Sequence, residues 1–458
     1  MCENAERLPE VASRPSVPWL AVVVIFIGAY ACAIYANLSF TVNRPADFRY
    51  FPPFEAGVDG NRNRLLGSEY FSIAQALAAG EGFANPFKEK TGPTAWMPPI
   101  LPALMAALLW VSDGDRDFVL IVIVFLQTHV LIATGVLIVA LARQTCPRLG
   151  TALPVAVFFM GLMADFRLWF QYNHDSWLVL LSLDLLIAAL CWLDPLRRWQ
   201  RAVAWGVFGG VCALINPVVT MSWGMLSLPA AFRQGAWTRF GISVLVATIT
   251  LTPWIIRNHW VLGRWIPVKS NLFYELYQSQ CLQADGLIQS TTFQLHPYGS
   301  ANRERQEYKA LGEMDYVDQK AVHFREAVWA APLDFLHRVA WRFLGVTLWY
   351  VPLDRADVAR YPLMMWTSRF IYPVPFLALT FLVATSFRHR FSAIQWTIIG
   401  LYGLYLAPYI VIGYYERYAL PLLGVKVMLL LWVIDRLVRS NPASRLAARS
   451  VCTVLSYY

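Results

Sequence analysis

Apolar runs close to the thickness of a bilayer, separated by short segments rich in Arg and Lys, set what this chain can become. A helix needs about 20 predominantly apolar residues to cross the hydrocarbon core, and residues 18–38 supply the first such run. Others follow at 118–142, 152–164, 177–193, 240–256, 370–386, 394–413 and 418–434, with a hairpin at 203–232 broken at Asn216-Pro217. Composition agrees, since 57% of the 458 residues are hydrophobic and 15% charged. The chain reads as an all-α, multi-pass membrane protein, a helical bundle of about ten transmembrane helices. The first run lacks a small-residue cleavage site and is followed by ordinary chain, so it is expected to remain as a helix.

The net charge of +9 does not point to nucleic acid. Arg143 and Arg148, Arg197, Arg198 and Arg201, Arg233 and Arg239, and Arg388 and Arg390 all fall in short loops on one side of the expected bundle. That is the pattern of cytoplasmic anchoring. It divides the chain into an N-terminal transmembrane module (1–256) with a first outer loop at 40–116, a large outer loop (257–336), and a C-terminal transmembrane module (337–458). The 19 Trp, 21 Tyr and 27 Phe are ample material for aromatic belts at both interfaces. Of seven Cys, Cys32, Cys191 and Cys212 lie in apolar runs and Cys281 is alone in a polar segment, so no disulfide framework or zinc spacing emerges.

Polar residues gather on the outer side. In residues 67–99, Ser68 can cap a helix whose apolar face is Phe71, Ile73, Ala74 and Leu77, and Gly80 and Gly82 stop it. Glu69 falls in the first turn, where the helix dipole favours a carboxylate; Asp59 is its rival upstream. Pro98 and Pro99 start a second helix, 100–111, expected to lie flat on the membrane. A first-turn Glu is often only a dipole-favoured surface residue. Residues 165–175 bring Asp165, Arg167, His174 and Asp175 to a membrane boundary, where charges are plain interface residues unless they face a bundle interior. Arg257, Arg264 and Lys269 emerge among Trp254, Trp260 and Trp265, a setting suited to an anionic headgroup or to simple snorkelling. Glu416 and Arg417 interrupt two apolar helices late in the chain, as a self-neutralising pair or a phosphate site.

Other signals are weak. Asp113-Gly114-Asp115 matches a three-letter nucleotide-sugar motif that arises by chance. His296, His323 and His337 lack HExxH spacing, and there is no P-loop, no GxGxxG after a strand and no GxSxG elbow.

Four segments together resemble the GT-C glycosyltransferase superfamily, in its bacterial family 39-type branch, relatives of the dolichyl-phosphate-mannose–protein mannosyltransferases and aminoarabinose–lipid A transferases. GSEYFSIAQALAAGEGFANPF with TGPTAWMPPILPALMA is similar to the family's first outer loop. LTPWIIRNHWVLGRWIPVKSN is similar to the opening of its second. HPYGSANRERQEYKALGEMDYVDQKA carries His296, Glu304, Glu313 and Tyr316 in a related pattern, and ERYALPLL matches a late RY..P element. The resemblance implies a GT-C type fold in the bacterial inner (plasma) membrane with its active site facing the periplasm. It implies transfer of a sugar from a polyprenyl-phosphate donor to a lipid, protein or polysaccharide acceptor, with inversion. Glu69 takes the general-base position; Arg257, Lys269 and Arg417 fall at donor phosphate-binding positions. Many relatives carry an Asp-Glu pair where Gly67-Ser68-Glu69 supplies one acid, so Glu69 acts alone or Asp59 contributes. No cofactor is required by the resemblance, although Asp175 matches a second outer-loop acid in some relatives that would suit a divalent cation. The competing readings are a transporter or flippase for a polyprenyl-linked sugar or lipid, and a non-catalytic scaffold. Large outer loops and the lack of an inverted repeat count against the first.

Overall fold

A computed structural model describes residues 16–38, 63, 66–87, 89–299 and 302–440. Among these the protein is helical throughout, with two isolated β-bridges, Ala84 to Pro93 and Leu287 to Tyr414. Asp59 lies outside the described residues.

The helices run in order as α1 (Trp19–Leu38), α2 (Glu69–Ala78), α3 (Ile100–Val111), α4 (Arg116–Thr145), α5 (Ala152–Ala164), α6 (Phe166–Phe170), α7 (Ser176–Ala188), α8 (Trp199–Ile215), α9 (Pro217–Gln234) and α10 (Trp237–Leu262). Then come α11 (Leu272–Cys281), α12 (Asn302–Leu311), α13 (Glu313–Ala330), α14 (Pro332–Thr347), α15 (Asp357–Arg360), α16 (Pro362–Ile371), α17 (Val374–Ala384), α18 (Ala393–Ile412) and α19 (Leu423–Ser440), the last preceded by a 3₁₀ segment, Glu416–Leu422.

Seven helical stretches among the described residues are long and apolar enough to cross a bilayer: Trp19–Asn37, Arg116–Thr145, Ser176–Leu193, Trp237–Leu262, Pro362–Ala384, Ala393–Ile412 and Glu416–Ser440. The apolar runs of the sequence predict about ten. The three that fall short are α5 and the two legs of the hairpin, α8 and α9. At 1.5 Å per residue, the 13 residues of α5 reach only about 20 Å. In α9, Arg233 and several Ser and Thr dilute an otherwise apolar run. The hairpin breaks where expected, because Pro217 opens α9 and the Asn216 side chain accepts the Val218 amide. The 12-residue α3 is likewise too short to cross.

Two separate cores hold the molecule together. The larger is the apolar interior of the bundle, where α4, α7 and α19 each contribute more buried side chains than any other helix. The second is an aromatic core outside the bundle, made by Phe87, Trp96, Tyr274, Tyr308, Tyr316 and Val317. Its residues come from both polar loops, so the two loops fold as one unit. Glu313 fastens them. Its carboxylate accepts from the Ala95 amide (2.8 Å), the Ser270 hydroxyl (2.7 Å), the Tyr308 hydroxyl (2.7 Å) and the Thr94 hydroxyl. Arg257 completes the bracket from the end of α10, donating to the Thr94 and Phe83 carbonyls, each at 2.6 Å.

Candidate functional site

The first turn of α2 is set by backbone strain. Leu66, Gly67 and Ser68 are consecutive left-handed residues, with φ of 47°, 72° and 54°. Only the glycine adopts this freely; each of the other two costs on the order of 1–3 kcal/mol. Ser68 occupies the capping position as the sequence suggested, but this backbone turns its hydroxyl away from the helix amides and it makes no capping bond. It pairs instead with the Tyr298 hydroxyl, which also meets Ser72. The turn delivers Glu69 inward, with its side chain 17% exposed. Behind it Phe71, Ile73 and Ala74 are buried, and Gly80 and Gly82, both at positive φ, end the helix region.

Around Glu69 the chain assembles charges from three distant segments. Arg417, in the Glu416–Leu422 segment, is the principal cation acting on it, and Asp175 and Glu275 are the acids. Tyr70 bonds the Asp175 carboxylate. The Arg417 guanidinium lies over the rings of Tyr415 and Tyr418, at 5.3 and 5.7 Å from their centroids. Its Nε is buried and has no hydrogen-bond partner among the described residues. A buried guanidinium N–H left unmet is costly and is an opening for an anionic ligand. Lys269 borders the group through a 2.7 Å bond to Glu275.

Burial raises the Glu69 carboxyl to about 7, against the opposing pull of its own helix amide and of Arg417. His296 Nε2 stands 3.6 Å from Glu69 Oε1. Its Nδ1 accepts the Tyr298 amide at 3.1 Å, which assigns the ring proton to Nε2, on the Glu69 side. Burial holds the imidazole neutral by lowering it to about 3, so the contact joins a neutral ring to an acid poised near neutrality and is not an ion pair.

The other sequence candidates take different places. His174 uses both nitrogens locally, with Nε2 donating to the Leu168 carbonyl at 3.0 Å and Nδ1 accepting the Ser176 amide at 3.2 Å. Burial and the positive charge of Arg417 push it down to about 3; it braces the loop that carries Asp175. Glu416 turns away from its neighbour and accepts the Tyr350 hydroxyl. Arg257 spends its donors on carbonyls, and Glu313 is the fastening described above, its carboxyl raised by burial. Tyr316 sits in the aromatic core and donates to Glu304 at 2.6 Å. The structure thus brings together Glu69, Asp175, His296, Lys269 and Arg417, and sets Arg257, Glu313, Tyr316 and Glu416 apart as supports.

Sequence reasoning passed over Tyr70, Glu275, Tyr298, Tyr415 and Tyr418. Two of these had a visible signal, since Tyr415 and Tyr418 flank Arg417 in YYERY. Asp113-Gly114-Asp115 is a turn with Asp113 and Gly114 at positive φ, and Asp115 caps α4 by accepting the Asp117 and Phe118 amides. Among the described residues no group of three or more His, Cys, Asp or Glu side chains is arranged to hold a metal ion. Comparison of the chain with protein-family models, curated proteins and solved structures gives no match.

Proposed function

We propose that this protein is a membrane glycosyltransferase of GT-C type, taking a sugar from a polyprenyl-phosphate donor and attaching it to a hydroxyl acceptor at the Glu69 end of the bundle. The supporting observation is the pairing of a carboxyl poised near pH 7 with a buried arginine whose Nε is unmet, the guanidinium acting directly on the carboxyl. Acid and cation there have separate tasks.

In this reading ionised Glu69 takes the proton from the acceptor hydroxyl as the oxygen attacks the anomeric carbon. The new carbon–oxygen bond forms as the bond to the carrier phosphate breaks, and the polyprenyl phosphate leaves with the electron pair. Arg417 meets the charge that develops on the leaving phosphate, which favours the transition state over the ground state. Lys269 joins this group through its 2.7 Å bond to Glu275, whose negative charge it offsets. Asp175 holds Tyr70 and faces Arg417, keeping the guanidinium oriented before the donor arrives. Glu69 then returns its proton to water.

The test is release of free polyprenyl phosphate from polyprenyl-phosphate-hexose donors by protein in liposomes, read by mass spectrometry. Wild-type protein releases it when acceptor is present, and Glu69→Gln does not. Equal release by the two would remove Glu69 from the reaction. Deleting the gene and profiling envelope glycans by mass then identifies the acceptor.

A further inference from the structure

A separate region with its own chemistry lies beside Glu416, across the bond from Tyr350 to that carboxylate. It is a cavity of about 260 Å³, bounded by Trp341, Trp349, Tyr350, Arg355, Val358 and Arg369, with Asp285 at its edge. Tyr350 ties it to the Glu69 site through its bond to Glu416, but none of the residues that gather round Glu69 enters its wall.

Its charge is unbalanced. Arg355 is neutralised by Asp285 at 2.9 Å. Arg369 has no ion pair or hydrogen bond among the described residues, and its Nε is buried without a partner. Its guanidinium is held over the rings of Trp349 and Trp366, at 4.7 and 5.5 Å from their centroids. The cavity therefore presents one uncompensated positive charge, fixed in position, with a donor left over. Around it Trp341, Trp366, Leu363 and Phe370 are exposed on α14 and α16. Exposed aromatics of this kind mark the level of the lipid headgroups.

We infer that this cavity binds the phosphodiester headgroup of an anionic membrane phospholipid, with Arg369 as its phosphate contact. A phosphodiester carries one negative charge, matching the single free guanidinium, whereas a phosphomonoester brings about 1.5–2. The volume falls just under the range of roughly 300–1,000 Å³ typical of sites for drug-sized ligands, leaving room for a headgroup whose acyl chains run down the apolar outer face of α16. This site stands apart from the transfer reaction, and lipid retention can be read without any activity.

The full-length protein is purified in detergent with phosphatidylglycerol or phosphatidylcholine, and bound lipid is counted by native mass spectrometry. Wild type should retain phosphatidylglycerol over phosphatidylcholine. Arg369→Gln should lose about tenfold of that retention, the effect of one charge-assisted contact. Arg360→Gln, on the exposed face of α15 nearby, should lose none. Val358→Trp, which fills the cavity without removing a charge, should lose retention as Arg369→Gln does, and carries the test if that variant does not purify. Equal retention by wild type and the cavity variants overturns the assignment, as does equal retention of the two lipids. Displacement of phosphatidylglycerol by millimolar inorganic phosphate alone would reassign the site to a free anion and overturn the lipid claim.

Discussion

Glu69 combines two demands that conflict. Its carboxyl has to be ionised to accept a proton, yet burial raises it to about 7. A folded value above the unfolded one means that the buried acid costs nothing below about pH 4.5, and that stability is lost as pH rises toward 7. Fully ionised, the group costs on the order of 3 kcal/mol. Glu69→Gln should therefore melt no lower than wild type at pH 8, and higher if the burial penalty is fully relieved, while transfer disappears. Thermal scans at pH 5 and pH 8 check this, and a large fall in melting temperature at both would make Glu69 a structural acid. In wild type the rate should climb through pH 7 to a plateau, because the ionised form is the base. A profile flat from pH 5.5 to 8.5 would place the base elsewhere. Arg417→Lys keeps a charge but loses the planar fork between Tyr415 and Tyr418. It should raise the apparent donor constant by about tenfold to a hundredfold, the worth of a charge-assisted bond; an unchanged constant excludes a phosphate role.

At the level of elements, the site depends on supports that never touch it. Glu313 reaches Thr94 across 219 positions of sequence, and Arg257 reaches Phe83 across 174. Removing the Glu313 carboxylate leaves buried hydroxyls and an amide unpaired, at about 1–3 kcal/mol for each group left unsatisfied. Glu313→Ala should lower the melting temperature and loosen both loops together, visible as faster hydrogen exchange in α2 and α11. Exchange confined to α13 would show that the loops do not fold as one. Ser68→Gly tests the strained turn in the other direction: relief of positive φ should leave stability unchanged or raised. These dependencies show where sequence reading stops. The apolar runs, the α2 boundaries and the break at Asn216-Pro217 are local, so periodicity and turn chemistry expose them. Arg257 looked like a ligand for phosphate because its chain neighbours are aromatic, and nothing nearby in sequence says that two carbonyls from the other loop are waiting for it. Ser68 had the right identity for a cap, but the conformation of Leu66 and Gly67 decides where its hydroxyl goes.

Across the whole molecule, the contrast between one polar end and one basic end fixes what can be tested about orientation. The Glu69 cluster, the aromatic core and the headgroup-sized cavity all lie at the end where α11 meets the end of α18, through the Ser279 hydroxyl and the Ile412 carbonyl, and where the Ile288 amide donates to the Tyr414 carbonyl at 3.0 Å. The loop between α7 and α8, with Arg197 and Arg198, belongs to the opposite end of the α7 crossing from Asp175. Basic short loops are retained on the cytoplasmic face, so the polar end should face outward. Cys281 is an exposed native reporter at the C-terminus of α11. A membrane-impermeant maleimide should label Cys281 in intact cells, whereas a cysteine placed at Arg198 in a Cys281→Ser background should be labelled only after permeabilisation. The reverse pattern would put the polar end in the cytoplasm. The donor would then have to be supplied there, and the bundle would be oriented against the charge of its own loops.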